Sequence, residues 1–296
     1  MSLDRVKSAV GHAGGVGLWR LVPFVSVVGA ALVVACTPAP SSAPSPAPSS
    51  ARSSTPATPA PRKAAPSWVV GARPLPLRPD GYGQVLPTPR PLVNRRLPTL
   101  DRLPPPRGDR FAATVEPVPA AVLARSTWRA GCPVPVRELR YLTMSFRGFD
   151  GRAHTGEMIV NRSVADAVTR VFRSLYRARF PLEEMRVVAR AELTAPPTGD
   201  GDNTTAFVCR PATGQRRWSA HAYGLAIDIN PFQNPYTRGD LVLPELASSY
   251  VDRAHVRPGM VAPGDAVVRA FTAIGWAWGG EWSDPVDLQH FSATGN

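Results

Sequence analysis

Cysteine is scarce in this 296-residue chain, with three residues and no cluster, so a closed metal site built from four thiolates is excluded. Long apolar runs are missing too. The most hydrophobic stretch, 25–35, covers eleven residues, about half of what a bilayer-spanning helix requires. Regular alternation of strand and helix patterns is absent, which argues against a parallel α/β sheet, and no internal repeat is visible. The formal charge of +12 lacks the distribution of a nucleic-acid surface. Residues 1–125 carry 15 Lys+Arg against 5 Asp+Glu, whereas 126–296 carry 19 against 17. No basic stripe interleaved with aromatics falls in the back half, so nucleic acid is not an expected partner.

What is present falls into three regions. Residues 1–36 have the layout of an export signal: Arg5, Lys7 and Arg20, then the apolar run, then Cys36. Val33-Val34-Ala35-Cys36 resembles a bacterial lipobox, in which the Cys thiol is lipidated after cleavage. A lipid anchor on Cys36 is therefore expected, with a plain secretory signal and a chance Cys as the alternative; either gives an extracytoplasmic location, and the anchored form would face the cell wall. With Cys36 acylated, Cys132 and Cys209 remain as an even pair in an oxidising compartment; a disulfide is the default expectation, two buried thiols the alternative. Residues 1–125 hold 22 of the 34 prolines, and 37–125 reads as a long disordered tether with too few contiguous apolar residues for a core.

Residues 126–296 read as the folded domain. Alternation over 139–146 and 156–160 predicts two strands, and 186–193 and 225–229 two more. Ser163 with Asp166 three residues on predicts a capped helix whose Val164, Ala167, Val168, Val171, Phe172, Leu175 and Tyr176 share one face, stopped by Pro181. A second helix is expected over 265–274, ended by Gly275. The expected fold class is α+β, a small antiparallel sheet with flanking helices.

Two segments carry the chemistry. In Ser219-Ala-His221-Ala-Tyr223-Gly224-Leu-Ala-Ile-Asp228-Ile-Asn230-Pro231, an imidazole and a carboxylate are seven residues apart with a glycine between them. Asp228 lies between Ile227 and Ile229 on a predicted strand, on the face of Ala226 and Asn230. A carboxylate buried there must be paired, coordinated or protonated. The second segment, Trp276-Ala-Trp278-Gly-Gly-Glu281-Trp282 and then Asp287-Leu-Gln-His290-Phe291, places another acid and His after an aromatic, glycine-rich turn. Two imidazoles and one acid form an open set for a divalent metal, leaving a position for water. Asp287 and His290 are three apart, which a regular strand would put on opposite faces; the Asp284-Pro285 break is expected to bend the chain so that both reach the site. His154 and His255 lack acids at ligand spacing and read as structural or surface residues.

The joint pattern S-x-H-x-x-G-x-A-x-D-x-N-P, W-x-W-G-G-x-W and D-x-x-H-F resembles the VanY-type D-alanyl-D-alanine carboxypeptidase and L-alanyl-D-glutamate endopeptidase group of zinc peptidoglycan peptidases. The resemblance spans about 126–294. It implies Zn2+ held by His221, Asp228 and His290, with Asp287 as the catalytic carboxylate and Glu281 in reserve. It also implies that Arg210 faces the developing oxyanion or a substrate carboxylate, and that Ser219 and Tyr223 contact substrate. Peptidoglycan stem peptides are the implied substrates, with D,D-carboxypeptidase activity foremost. An L-alanyl-D-glutamate endopeptidase and a wall-binding lipoprotein without turnover are the alternatives. The run 194–202, Thr-Ala-Pro-Pro-Thr-Gly-Asp-Gly-Asp, departs from the group in a stretch that bears on substrate recognition.

Overall fold

A computed structural model describes residues 68–295; the signal expected over 1–36, with Cys36, and the tether over 37–67 lie outside the described residues. The described strands are β1 (Ala113–Pro117), β2 (Leu139–Arg147), β3 (Ala153–Asn161), β4 (Glu184–Met185), β5 (Asn203–Thr204), β6 (Ala226–Asp228), β7 (Tyr236–Arg238), β8 (Leu241–Leu243), β9 (Ala277–Trp278), β10 (Val286–Asp287) and β11 (His290–Ser292). The helices are α1 (Ala120–Arg125), α2 (Ala165–Arg177) and α3 (Ala266–Thr272). The class is α+β as expected, but the strands form several small sheets instead of one: β1-β2-β3, β10-β7-β8 and β6-β11-β9 are three-stranded, and β4-β5 is a parallel pair.

The long hairpin β2–β3 is covered on both faces. Leu142, Met144, Phe146, Met158 and Val160 join Val168, Val171, Phe172 and Leu175 of α2 and Phe271 of α3 in the main core. Leu139, Tyr141 and Ile159 turn the other way onto Val122, Phe207 and Cys209. That second cluster carries the expected disulfide, Cys132–Cys209, which joins residues 77 apart in sequence. Closing a loop of this length contributes about 3 to 5 kcal/mol in the chain-entropy model.

Two local expectations need correction. Helix α2 starts at Ala165 with no side-chain cap, because Ser163 spends both its N–H and its hydroxyl on Asn161 Oδ1. No strand forms over 186–193: the two-residue β4 ends just before it, at Met185, and a 3-10 turn occupies Arg190–Leu193. There Asn203 takes up both the N–H and the carbonyl of Arg186, and Glu192 accepts from Ala189 N, so the backbone has no ladder left to extend. The second helix follows expectation, with Asp265 accepting from Val267 and Val268 N–H groups at its start.

The larger correction concerns the tether. Residues 68–125, expected to be disordered, are folded onto the domain. Leu92 is fully buried in a third cluster with Phe232, Leu246 and Tyr250, and Trp68, Leu75 and Leu97 pack against it. This arm has no core of its own, as its composition implies. It borrows one, and prolines that cannot join a sheet interior suit a chain laid along a surface in extended conformation.

The arm is held by Arg95, which is 1 % exposed. Its Nε and Nη2 donate to the two oxygens of Glu183 at 2.7 and 2.6 Å, Nη1 donates to the Asp200 carbonyl at 2.8 Å, and Asp202 lies 3.6 Å away. The guanidinium also covers the Phe232 ring at 4.4 Å. Burial pushes Glu183 and Asp202 upward in pKa, and Arg95 acts against that shift in both. Removing the cation would strand two buried acids. Arg95→Met is expected to cost about 3 to 5 kcal/mol in urea unfolding of the full chain, and a loss below about 1 kcal/mol would place the arm's attachment elsewhere.

Candidate metal centre

His221 sits in the 3-10 turn Ala220–Tyr223. Ser219 opens that turn by accepting from Ala222 N, and Gly224 closes it at φ 69°, where a Cβ would come within 2.5 Å of Asn161 N. The turn hands the chain to β6, which ends on Asp228. Asn230 does not share its face: it leaves the strand at φ 43°, and its amide donates to the carbonyls of Pro181 and Gly259. Strand β11 returns antiparallel to β6 with His290 directly opposite Asp228.

The three expected ligands converge. His221 Nε2 is 3.2 Å from His290 Nδ1 and 3.2 Å from Asp228 Oδ1, and His290 Nδ1 is 3.1 Å from Asp228 Oδ1. A tetrahedral zinc ion with bonds of about 2.0 to 2.1 Å needs ligand atoms about 3.3 Å apart, so this triangle fits one ion. The tautomer of His221 fits as well. Its Nδ1 lies 2.6 Å from the Ala206 carbonyl, which only accepts, so Nδ1 carries the proton and Nε2 offers its lone pair. Burial opposes the charge on Asp228, but the imidazoles of His221 and His290 outweigh it and hold the carboxyl well below the usual range.

Asp287 reaches the same place from another strand. It ends β10, paired with Tyr236 of β7, while Leu288 and Gln289 carry the chain over to β11. The odd spacing from His290 is thus resolved by a turn between two sheets. Asp287 Oδ1 is buried and has no hydrogen-bond partner. Burial is the largest influence on this carboxyl; the His290 and Arg210 charges pull it down, Asp228 pushes it up, and the balance raises it to about 7.

These groups line a cleft of about 780 Å³ that also receives Arg210, Ser219 and Tyr223. Arg210 makes no ion pair among the described residues; its guanidinium donates to the Pro211 carbonyl at 3.2 Å. Ser219 is less free than expected, since its hydroxyl donates to the Arg210 carbonyl and so ties the turn of His221 to Arg210. Tyr223 is 38 % exposed. Glu281 is exposed and does not line the cleft, which leaves Asp287 as the acid beside the triangle. Sequence reasoning missed Tyr236, Arg238 and Glu245, which also line the cleft without any motif to mark them. It also missed the partners of His154, whose two ring nitrogens meet Asp101 at 2.7 Å and Asp150 at 3.1 Å. One of these acids belongs to the stretch read as tether. His255 is exposed beside Asp252.

Two imidazoles and a carboxylate closing on one point, with a buried acid beside them in an open cleft, define a centre suited to metal-assisted hydrolysis. Residues 213–293 match the model of a family described as D-alanyl-D-alanine carboxypeptidase. The match supports the peptidase group as a whole rather than its VanY-type subgroup. It takes in the three ligands and Asp287 and excludes Arg210 and the arm. No curated protein and no solved structure matches the chain. If the triangle is the metal site, His221→Ala should lose bound zinc in elemental analysis while remaining folded by circular dichroism; unchanged zinc content would refute the assignment.

Proposed function

We propose that this chain is a zinc-dependent peptidase that hydrolyses an amide bond in peptidoglycan stem peptides, acting as a D,D-carboxypeptidase. The observation that carries the reading is the triangle of His221, Asp228 and His290 atoms with the unpartnered Asp287 oxygen beside it. The family match over 213–293 supports the substrate class. Zinc, when held there, polarises the scissile carbonyl and makes water a better nucleophile.

The chain's own residues do the rest. Asp287 in its ionised form accepts the proton of the attacking water and later passes it to the leaving amine nitrogen. Arg210, without a carboxylate partner of its own among the described residues, faces either the developing oxyanion or the terminal carboxylate of the peptide, for which a guanidinium offers two parallel donors. Tyr223 contributes an exposed aromatic edge at the mouth of the cleft. A lipid on Cys36 and the proline-rich segment after it would hold the enzyme at the membrane within reach of the inner wall.

Asp287→Asn is expected to keep zinc and lower hydrolysis at least about a hundredfold, because the amide cannot take the proton; full activity in that variant would remove Asp287 from the mechanism. The pH dependence has a definite sign. A base raised to about 7 is protonated below that value, so activity falls as pH drops through it. A bound dication adds a downward pull, which sets the acid limb of kcat/KM between the ordinary carboxylate value of about 4 and about 7. A rate that is flat down to pH 4 would move the base elsewhere. Digestion of defined muropeptides with mass analysis separates the bond cut: loss of a terminal D-alanine supports the carboxypeptidase reading, and cleavage between L-Ala and D-Glu replaces it with an endopeptidase.

A further inference from the structure

Several of the buried acids among the described residues face a cation or more than one donor. Glu157 faces Arg125, Glu183 and Asp202 face Arg95, and Asp200 accepts from Trp68 Nε1, Gly71 N and Thr198 Oγ1. Glu245 is only 5 % exposed, yet no Lys, Arg or His lies within ion-pair distance of it among the described residues. Its side chain receives a single hydrogen bond, from Gly83 N at 2.8 Å. A nearby cation is the usual partner of a buried acidic side chain. Glu245 lines the same cleft as Asp287 and His290.

Resting on the peptidase reading, we infer that Glu245 forms a subsite for a substrate ammonium group, the side-chain amine of a diamino acid in the stem peptide, and that the arm builds this subsite. Three observations place it. Across the sheet β10-β7-β8, Asp287 pairs with Tyr236 and Tyr236 with Leu243. Two strand spacings amount to about 10 Å, or about three residues of extended peptide, and Glu245 follows Leu243 by two residues. Glu245 therefore sits in the turn after β8, two strands away from Asp287 across this sheet. The arm grips Glu245 from behind: besides the Gly83 bond, Leu86 N donates to the Glu245 carbonyl, and Arg78 pairs with Asp240 at 3.0 Å at the tip of the β7–β8 hairpin. The fit at Gly83 is close, since a Cβ there would come within 2.8 Å of Glu245 Oε1 and 2.9 Å of Leu75. Finally, apart from the acids at the metal centre, the cleft offers Arg210, Arg217 and Arg238 to an anion and Glu245 to a cation, which suits a peptide with a free carboxylate and a free amine.

A plainer role, in which Glu245 only fastens the arm, makes a different prediction. The test uses the purified full chain with zinc and two stem peptides identical except that the side-chain amine of the diamino acid is free or acetylated. The wild type is expected to prefer the free amine by about tenfold or more in kcat/KM, mainly through KM, as a buried charge pair commands. Glu245→Gln keeps an acceptor for Gly83 N and should bring that preference down to about one, with zinc content unchanged. Gly83→Ala, which displaces the carboxylate, should also reduce the preference. A wild type that cleaves both peptides equally overturns the ammonium subsite while leaving the peptidase reading intact, and so does a Glu245→Gln variant that keeps the preference or loses both activities in parallel. A wild type that cleaves neither peptide, nor other muropeptides, fails at the peptidase reading instead.

Discussion

The candidate site depends on one cross-strand register, the pairing of Asp228 with His290 between β6 and β11. Directly opposed residues of an antiparallel pair bring their side chains close on the same face, and here they bring a carboxylate oxygen and an imidazole nitrogen to 3.1 Å. His221 is delivered to the same point by the turn that precedes β6. A slip of one residue in β11 would send His290 to the face of Ile227 and put an apolar side chain at the ligand position. The site and the core therefore enforce the same register: Ile227 and Phe291, each next to a ligand, are fully buried in the main core.

The acid at 287 obeys a different constraint. It belongs to the sheet β10-β7-β8, and only two residues separate it from the sheet of the ligands. Placing base and ligands on different sheets gives each its own backbone support, which favours holding both in position when a substrate enters. The same division explains why part of the cleft is made of residues without a recognisable pattern. Tyr236, Arg238 and Glu245 come from the hairpin and the turn after it, and the arm bonds to Glu245 and to Asp240 at the hairpin tip.

The arm is the element that composition misrepresents. Proline-rich sequence with scattered leucines predicts that no independent core forms, and none does. Composition is silent about whether the segment finds a core already built by other residues. Leu92 enters one between Phe232 and Tyr250, and Arg95 finds a buried pair of acids, Glu183 and Asp202, separated from it by about ninety and a hundred residues in sequence. The loose stretch 194–202 proves to be the other half of that attachment, with Asp200 and Asp202 facing the arm and Gly199 and Gly201 facing the cleft. The same limit applies to His154, whose partner Asp101 is 53 residues away.

Short-range chemistry was legible without coordinates. The glycine turn after His221, the face of α2, the second helix, the strands over 139–146 and 156–160 and the pairing of Cys132 with Cys209 follow from residue type and spacing, and a family resemblance singled out the residues that line the candidate site, because each depends on neighbours in the chain or on a short inventory of reactive side chains. Tertiary structure alone decided the convergence of three donor atoms to about 3.2 Å, the isolation of Asp287 Oδ1, the docking of residues 68–125 and the lack of a counter-ion for Glu245 among the described residues. Those depend on which distant surfaces meet and on how much water they exclude, and neither quantity is a property of local sequence.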